Sequence, residues 1–340
     1  MKAIVDERQE KHDPKQFIVS GVIKPSAEQP ERIKRLRAGA KAAGCEFSAP
    51  EDAGIAPIAA VHTPEYLAFL QTIYGQWSQM DGAGPEVVPN VHPRSRKDSY
   101  PDTPVGLAGY HQADTACPIG LHTWESVYWS AQTAIAAADL VARGERAAYA
   151  LSRPPGHHAY ADMAGGFCFL NNSAIAAEQL RGKGFRPAIL DVDVHHGNGT
   201  QGIFYGRDDV LTVSIHTDCR AYYPFYWGHP EERGAGRGLG YNLNLPLPRG
   251  AGIKEYLPKL DQALRRIRDY GADMLVVALG LDPYEGDPLK GMALQTGEFS
   301  RITAAIAGLN LPTLFVQEGG YLSDELGDNL TSALTGFENA

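Results

Sequence analysis

The stretch Ile189-Leu190-Asp191-Val192-Asp193-Val194-His195-His196-Gly197-Asn198-Gly199 begins as an apolar strand and becomes acidic and histidine-rich. Side chains two residues apart point to the same face of a strand, so Asp191, Asp193 and His195 are predicted to face one point, with looser geometry where the strand ends. Two carboxylates beside an imidazole are stable in a core only when a metal ion or a hydrogen-bond network satisfies them. We interpret the stretch as a metal-binding strand end, and a purely structural polar network is the alternative.

Apolar segments of this kind recur along the chain and predict a parallel sheet. From about residue 145 onward, short β-branched runs alternate with longer segments of helical periodicity. Near-continuous apolar strands separated by helices are typical of a parallel sheet covered on both faces, with ligands bound beyond the carboxyl ends of its strands. The predicted strands are Ala147–Ser152, Ala188–Val194, Val210–His216, Met274–Leu281 and Thr313–Gln317, and the predicted helices are Asn172–Lys183, Lys254–Tyr270, Glu298–Leu309 and Glu325–Thr335.

Three further motifs follow predicted strands and carry chemically useful groups. Arg153-Pro154-Pro155-Gly156-His157-His158 presents two imidazoles on a rigid turn, Gly280-Leu281-Asp282-Pro283 ends a strand in a carboxylate, and Gln317-Glu318-Gly319-Gly320-Tyr321 aims a tyrosine from a double glycine. Alone, each could be a pair of exposed loop histidines, a turn residue or a helix cap. Together, at one edge of a sheet, they supply three metal ligands, an acid–base group and an oxyanion donor. This combination indicates metal-assisted hydrolysis of an amide.

The composition limits the class of protein. The 340 residues are 44% hydrophobic and 21% charged, which is enough for one large buried core. The formal net charge of −9 argues against nonspecific nucleic-acid binding and is compatible with a cationic substrate. The four cysteines form no CxxC pair, and the sequence shows neither a signal peptide nor an apolar run of about 20 residues. We therefore expect a cytoplasmic protein that does not bind a membrane.

The order of these motifs resembles the histone deacetylase superfamily, and within it the bacterial acetylpolyamine amidohydrolases. The resemblance extends from Val61 to Tyr321 and rests on RPPGHH (153–158), GGFCFLNN (165–172), DVDVHHGNGT (191–200), SIH (214–216) and EGGY (318–321). It implies the arginase-deacetylase fold, in which a single α/β domain over residues 1–340 has a mostly parallel sheet of about eight strands between helices. It also implies a zinc-dependent deacetylase.

The resemblance further implies roles for individual residues. The implied Zn²⁺ ligands are Asp193, His195 and Asp282. The implied catalytic and orienting residues are His158 as general base and acid, His157 as its electrostatic partner, Tyr321 as oxyanion donor, Asp191 behind His157 and Asn198 beside His158. Structural K⁺ would be held mostly by backbone oxygens at two sites, one formed by Asp191, Asp193, His195, Ser214 and Ile215 and the other by Phe204, Arg207 and Val210 with Tyr241 nearby. The implied walls of the acyl-lysine tunnel are Gly166, Phe167 and Tyr223.

The segment Gln76–His122 shows little periodicity and precedes the first catalytic motif. It is rich in proline but retains aromatic side chains, which favours a functional segment over a disordered one. The resemblance implies an insertion here that narrows the entrance and joins two subunits of a homodimer. Within it, Asp102 resembles a rim aspartate that holds the substrate backbone, and Asp114 resembles an acidic residue directed at the distal ammonium of a polyamine. Two other acidic positions of that branch are Gln16 and Val105 in this chain.

These features leave several functions to compare. Deacetylation of acetylated polyamines or other small cationic N-acylamines is the first hypothesis, and deacetylation of acetyl-lysine in proteins or peptides, by the same chemistry, is the second. A non-enzymatic metal-binding relative would lack a ligand, a tandem histidine or the tyrosine, and none is missing. A binuclear manganese ureohydrolase would need more bridging carboxylates than residues 191–195 provide.

Overall fold

The computed structural model describes residues 1–97 and 99–340, and its centre is one sheet of eight parallel strands. The strands are β1 (Lys2–Ile4), β2 (Gln16–Val19), β3 (Val22–Pro25), β4 (Glu46–Ser48), β5 (Ala147–Ala150), β6 (Pro187–Asp191), β7 (Leu211–Thr217), β8 (Asn242–Leu247), β9 (Met274–Leu279) and β10 (Thr313–Gln317). The hairpin of β2 and β3 is separate and antiparallel, and the others form the sheet in the order β4-β1-β5-β10-β9-β6-β7-β8. The predicted fold class is confirmed.

Helices cover both faces of this sheet. They are α1 (Glu31–Ala42), α2 (Ala56–Ala59), α3 (Pro64–Trp77), α4 (Pro104–His111), α5 (Thr123–Ala142), α6 (Asn172–Gly182), α7 (Asn198–Phe204), α8 (Ile253–Tyr270), α9 (Glu298–Ala307) and α10 (Leu326–Glu338). Because side chains alternate along a strand, Val277 joins a core with α1, α8, α9 and α10, whereas its neighbour Val276 joins a second core with α3, α5 and α6. Within the described residues, no helix is both long enough and apolar enough to cross a membrane.

Several strands end earlier than the sequence pattern predicts. We expected the strand that begins at Ala188 to reach Val194, but β6 ends at Asp191. The reason is that carboxylates take over the backbone donors after Val192: the N–H of Asp193 donates to Asp191 Oδ1 at 3.1 Å, and the N–H of Val194 donates to Asp282 Oδ1 at 3.0 Å. The ladder of strand hydrogen bonds is therefore replaced by side-chain contacts where the chemistry begins.

The segment Gln76–His122 is more regular than its sequence suggests. It starts inside α3, contains α4 and includes an isolated antiparallel bridge between Val87 and Ile119. His111 fixes α4 to the core, since its ring lies 4.8 Å from that of Phe69 and its Nδ1 lies 2.8 Å from the carbonyl oxygen of Asp162. The proline-rich segment thus has buried anchors of its own.

Candidate active site

Loops from four adjacent strands meet at the carboxyl edge of the sheet. The strands β5, β10, β9 and β6 are neighbours in that order, so the residues that follow them are brought together although they are far apart in the chain. The loop after β5 carries His157 and His158, that after β6 carries Asp193 and His195, that after β9 carries Asp282, and that after β10 carries Tyr321.

Three side chains from these loops form a buried group with the geometry of a metal site. The possible ligand atoms of Asp193, His195 and Asp282 all lie within 4.8 Å of one another. His195 turns Nδ1 towards both acids, at 3.0 Å from Asp193 Oδ1 and 3.2 Å from Asp282 Oδ2. Strand alternation places Asp191 at the same point, but its Oδ2 is directed at His157 Nδ1, 2.9 Å away, which is the place that the resemblance implies for it.

The surroundings of this group fit a bound cation. Asp282 Oδ2 is buried, and although His195 Nδ1 lies 3.2 Å away, this oxygen accepts no well-aligned hydrogen bond from residues 1–97 and 99–340. Burial and the neighbouring charge of Asp193 raise the pKa of Asp282 to about 6, and the adjacent His195 offsets this rise only in part. A side chain at Gly319 would clash with the carboxylate oxygens of Asp282 and Asp193, so the glycine keeps the cradle open. Two carboxylates and an imidazole are a donor set that suits Zn²⁺ with open coordination positions.

A second buried group, His157, Cys168 and Glu318, also has its possible ligand atoms within 4.8 Å of one another. All three members are already engaged in hydrogen bonds. His157 Nδ1 is bonded to Asp191, both oxygens of Glu318 accept from Gly156, His157 and Ser173, and Cys168 Sγ donates to the carbonyl oxygen of Gly166 at 3.4 Å. This group is a hydrogen-bond network.

The tandem histidines have opposite electrostatic environments. Burial lowers the pKa of His157, but the carboxylates of Asp191 and Asp193 outweigh burial and raise it to about 10. Burial lowers the pKa of His158 well below its usual value, and the positive charges of His157 and His195 lower it further. His158 Nδ1 lies 2.6 Å from Asn198 Oδ1, an oxygen that can only accept. The proton of neutral His158 is therefore on Nδ1, and Nε2 keeps a free lone pair.

Aromatic rings pack beside these groups. The ring of Tyr223 meets that of His158 edge-on at 4.9 Å, and the ring of Phe167 lies 5.5 Å from that of the buried Tyr321. A Cβ on Gly166 would lie 2.5 Å from His158 Cδ2 and 2.9 Å from Tyr223 Cε1, so only glycine fits between the two rings. The structure thus brings the predicted tunnel residues together beside the metal group.

Asp114 is part of this wall. Its Oδ2 accepts hydrogen bonds from the Tyr223 hydroxyl at 2.6 Å and from the N–H of Gly166 at 3.1 Å, and its Oδ1 accepts from the N–H of Ala116 at 2.8 Å. The predicted contact of Asp114 with a distal ammonium stays a prediction. So does the role of Asp102, which lies exposed just before α4.

The residues predicted to hold K⁺ lie in two places near β7. Asp191 pairs with Ser214 across β6 and β7, and Ile215 is the next residue of β7. At the other place, the carbonyl oxygen of Phe204 accepts from the N–H of Arg207 at 2.9 Å, and Val210 and Tyr241 immediately precede β7 and β8. The K⁺ sites stay predictions.

The sequence pattern did not single out five residues that support the site. Arg32 and Glu28 are fully buried beside the Tyr321 loop, and no periodicity marks them. Arg153 and Glu318 belong to the recognised motifs but had no role assigned. Asp287 was also missed, although its Oδ2 accepts from the N–H of Tyr321 at 2.9 Å.

A buried Asp–His–Asp group with tandem histidines and a tyrosine, at the edge of an eight-stranded parallel sheet, defines a class of metal-dependent amidohydrolases. The chain belongs to the histone deacetylase family, since the histone deacetylase domain matches residues 26–337. This membership implies a metal-dependent deacetylase.

Individual relatives cover nearly the whole chain. The acetylpolyamine amidohydrolase of Burkholderia pseudomallei is 48% identical over 330 residues, which are 96% of this chain and 95% of that protein. Acetylpolyamine amidohydrolase 1 of Pseudomonas aeruginosa is 44% identical over 328 residues, which are 95% of this chain and 94% of that protein. The crystal structure of the acetylpolyamine aminohydrolase from Burkholderia pseudomallei matches with a TM-score of 0.96 and 47% identity, covering 99% of this chain and 98% of that one.

Proposed function

We propose that this protein is a zinc-dependent amidohydrolase that removes acetyl groups from acetylated polyamines or other small cationic N-acylamines. The observation that carries the proposal is the buried group of Asp193, His195 and Asp282, which lies beside the tandem histidines and the Tyr321 loop. The substrate class is supported by relatives of nearly equal length that are named acetylpolyamine amidohydrolases.

Asp193, His195 and Asp282 would hold the ion, which when bound polarises the amide carbonyl and lowers the pKa of a bound water. His158 accepts the proton of the attacking water at Nε2, because its Nδ1 is committed to Asn198. His157 stays protonated beside Asp191 and supplies positive charge next to His158. The Tyr321 hydroxyl donates a hydrogen bond to the carbonyl oxygen as it becomes an oxyanion. His158 then transfers its proton to the departing amine nitrogen, the C–N bond breaks, and acetate and the free amine leave.

The charge and surface of the protein support a small cationic substrate. The formal net charge is −9, and the Asp114 carboxylate lies against the Tyr223 wall of the tunnel.

Large hydrophobic side chains are exposed in and near the Gln76–His122 segment: Val91, Tyr100 and Leu121 within it, and Ile18, Val22 and Ile23 on the β2–β3 hairpin. Thr115 Oγ1 joins the hairpin to the segment by hydrogen bonds with the backbone of Ile18. A second copy of the chain would cover this surface and narrow the entrance.

The proposal is tested by steady-state rates on acetylputrescine, acetylcadaverine, acetylspermidine and an acetyl-lysine peptide under one set of conditions. We expect kcat/KM to favour the small acetylated amines by at least about tenfold, or roughly 1.4 kcal/mol of transition-state discrimination. A preference for the peptide would support the alternative, an acetyl-lysine deacetylase. Hydrolysis of none of the four would contradict both.

A further inference from the structure

A buried carboxylate joins the histidine loop to the tyrosine loop. Glu318 follows β10, lies three residues before Tyr321 and is fully buried. Its Oε2 accepts hydrogen bonds from the N–H groups of Gly156 at 2.6 Å and His157 at 3.0 Å. Its Oε1 accepts from the hydroxyl of Ser173 on α6 at 2.7 Å. One side chain of the tyrosine loop therefore holds the backbone immediately before His158.

A second path joins the same loops through two buried arginines. Arg32 on α1 donates from Nε to the carbonyl oxygen of Gly320 and from Nη2 to that of Glu318, both at 2.7 Å. It also donates from Nη1 to Glu28 Oε1 at 2.7 Å. The same Glu28 accepts from Arg153, with Nε 2.8 Å from Oε1 and Nη2 2.9 Å from Oε2.

These contacts close into a ring. It runs from Arg153 through Glu28 and Arg32 to the carbonyl of Glu318, then through the Glu318 side chain to Gly156, and returns to Arg153 along the chain. The two segments that it encloses differ in stiffness. Pro154 and Pro155 have fixed φ angles, whereas Gly319 and Gly320 are intrinsically flexible, and Gly320 has a φ of +109°. The flexible segment is the one that carries Tyr321, so its position depends on the hydrogen bonds of the ring.

Stability alone is a poor explanation for so many buried charges. Removing ions from water is costly, and well-packed apolar residues of similar volume often stabilise a core as well or better. The ring is fully bonded and joins the two loops that flank the Asp193 group. Geometry at such a site has to be kept to a fraction of an ångström, because a misplacement of about 1 Å can lower a rate by roughly a hundredfold.

We propose that Glu318, within the ring formed with Arg32, Glu28 and Arg153, is a positioning residue that holds His157 and His158 in register with Tyr321. The proposal rests on the proposed function for its kinetic consequence. It predicts that Glu318 acts on kcat through the two loops and has little effect on the binding of the ground state.

The kinetic test compares Glu318→Ala, Glu318→Gln and the control Ser173→Ala, each as folded protein with measured zinc content. In Glu318→Ala we expect kcat per bound zinc to fall by at least about tenfold while KM changes by less than about threefold. Glu318→Gln should recover most of the rate, because its amide oxygen can still accept from Gly156 and His157. Ser173→Ala should cost less than Glu318→Ala, since it removes one donor to Oε1 but leaves the hydrogen bonds of Gly156 and His157 to Oε2 in place. If Glu318→Ala does not fold, Glu318→Asp, which shortens the reach, should give a smaller fall in kcat.

A double-mutant cycle tests whether Glu318 acts through the tyrosine loop. Once Tyr321→Phe has removed the hydroxyl, Glu318→Ala should cost a smaller factor in kcat than it does in the wild type. Fully independent effects of the two substitutions, or an unchanged kcat per zinc in Glu318→Ala, would overturn the proposal.

Amide hydrogen exchange separates this proposal from the proposed function. Segments that contain residues 154–160 and 318–322 should exchange faster in Glu318→Ala than in Ser173→Ala, in zinc-loaded and zinc-free protein alike. If the wild type hydrolyses no acetylated amine but this difference is found, the proposed function fails and the ring stands. Equal exchange in the two variants would remove the structural basis of the ring.

Discussion

At the scale of single residues, substitution of Asp282 is the most direct test of the proposed metal site. Asp282 is fully buried, and its Oδ2 accepts no well-aligned hydrogen bond in the described parts of the chain. We expect Asp282→Ala to lose most bound zinc and nearly all turnover while keeping its secondary structure, because the only backbone group among the described residues that loses its acceptor is the N–H of Val194, which lies beyond the end of β6. Elemental analysis and circular dichroism measure the two effects. Asp269→Ala, an exposed change on α8, is the control, and full zinc occupancy in Asp282→Ala would refute the ligand assignment.

Substitutions of Tyr321 and His158 should lower the rate for different chemical reasons. Tyr321→Phe removes one oxyanion donor, so kcat should fall roughly 10²–10³-fold with near-normal zinc content. His158→Ala removes the proton acceptor and should be at least as damaging. Steady-state kinetics on zinc-loaded protein measures both effects. Near-wild-type kcat/KM in either variant would mean that the catalytic face has been assigned wrongly.

At the scale of helices and strands, the accuracy of the sequence prediction depended on how local the pattern is. The helix at Lys254–Tyr270 and the strand at Thr313–Gln317 follow from periodicity within one segment, and the structure has them at almost those bounds. The strands β1 and β4 have only three residues each, too few for a pattern to emerge. β8 was missed because Asn242, Asn244 and Pro246 interrupt its apolar run.

The residues of the site were likewise predictable only where the sequence pattern is local. Carboxylates and histidines at the ends of apolar strands are visible locally, and a parallel sheet brings strand ends together. The contact between Arg32 and Gly320 joins residues 288 positions apart, and nothing near Arg32 in the sequence points to it. Strand alternation alone missed the turn of Asp191 towards His157, because it depends on where β6 leaves the ladder, whereas the family resemblance implied this place for Asp191.

The Gln76–His122 segment gives a prediction at the same scale. Its exposed Val91, Tyr100 and Leu121 should be covered by a second subunit, which also restricts the entrance. We expect the wild type to be a dimer by light scattering. Replacement of residues 79–98 by a short glycine–serine linker should give a monomer, and the preference for acetylated polyamines over an acetyl-lysine peptide should fall several-fold. A Leu121→Ser variant keeps the full loop and should weaken the dimer with a smaller effect on preference. A monomeric wild type would contradict the prediction.

At the scale of the whole molecule, buried neutral histidines make the folded state sensitive to acid. His62 is buried between two backbone groups. Its Nε2 accepts a hydrogen bond from the N–H of Asn171 at 2.9 Å, and its Nδ1 lies 3.3 Å from the carbonyl oxygen of Ala161. Burial lowers the pKa of His62 to about 4, whereas in the unfolded chain it is about 6.5. Between these values the unfolded chain binds the extra proton. The stabilisation of the folded state by neutral His62 is therefore complete above pH ~6.5 and is lost as the pH falls towards 4.

This sensitivity can be measured by urea unfolding of the wild type and His62→Gln between pH 7 and pH 5. Over this range the free energy of unfolding of the wild type should fall by about 2 kcal/mol more than that of the variant, because the two proteins share all other titrating groups. The exposed His122→Gln is the control and should follow the wild type. Parallel curves for all three proteins would contradict the buried neutral state of His62.

The position of β10 has a consequence for the order in which a ribosome can build this protein. A nascent chain folds from its N-terminal end as it emerges. Strand β10, at Thr313–Gln317, lies between β5 and β9, so the two parts of the sheet on either side of it stay apart until it is made. Tyr321 and the carbonyl groups that bind Arg32 come later still. Asp193, His195 and Asp282 follow β6 and β9, which pair directly, so they are made before the strand that joins their part of the sheet to β5 and the tandem histidines. A polypeptide cut short before residue 313 would therefore lack both the strand between β5 and β9 and the Tyr321 loop. Catalytic competence is among the last properties that synthesis confers.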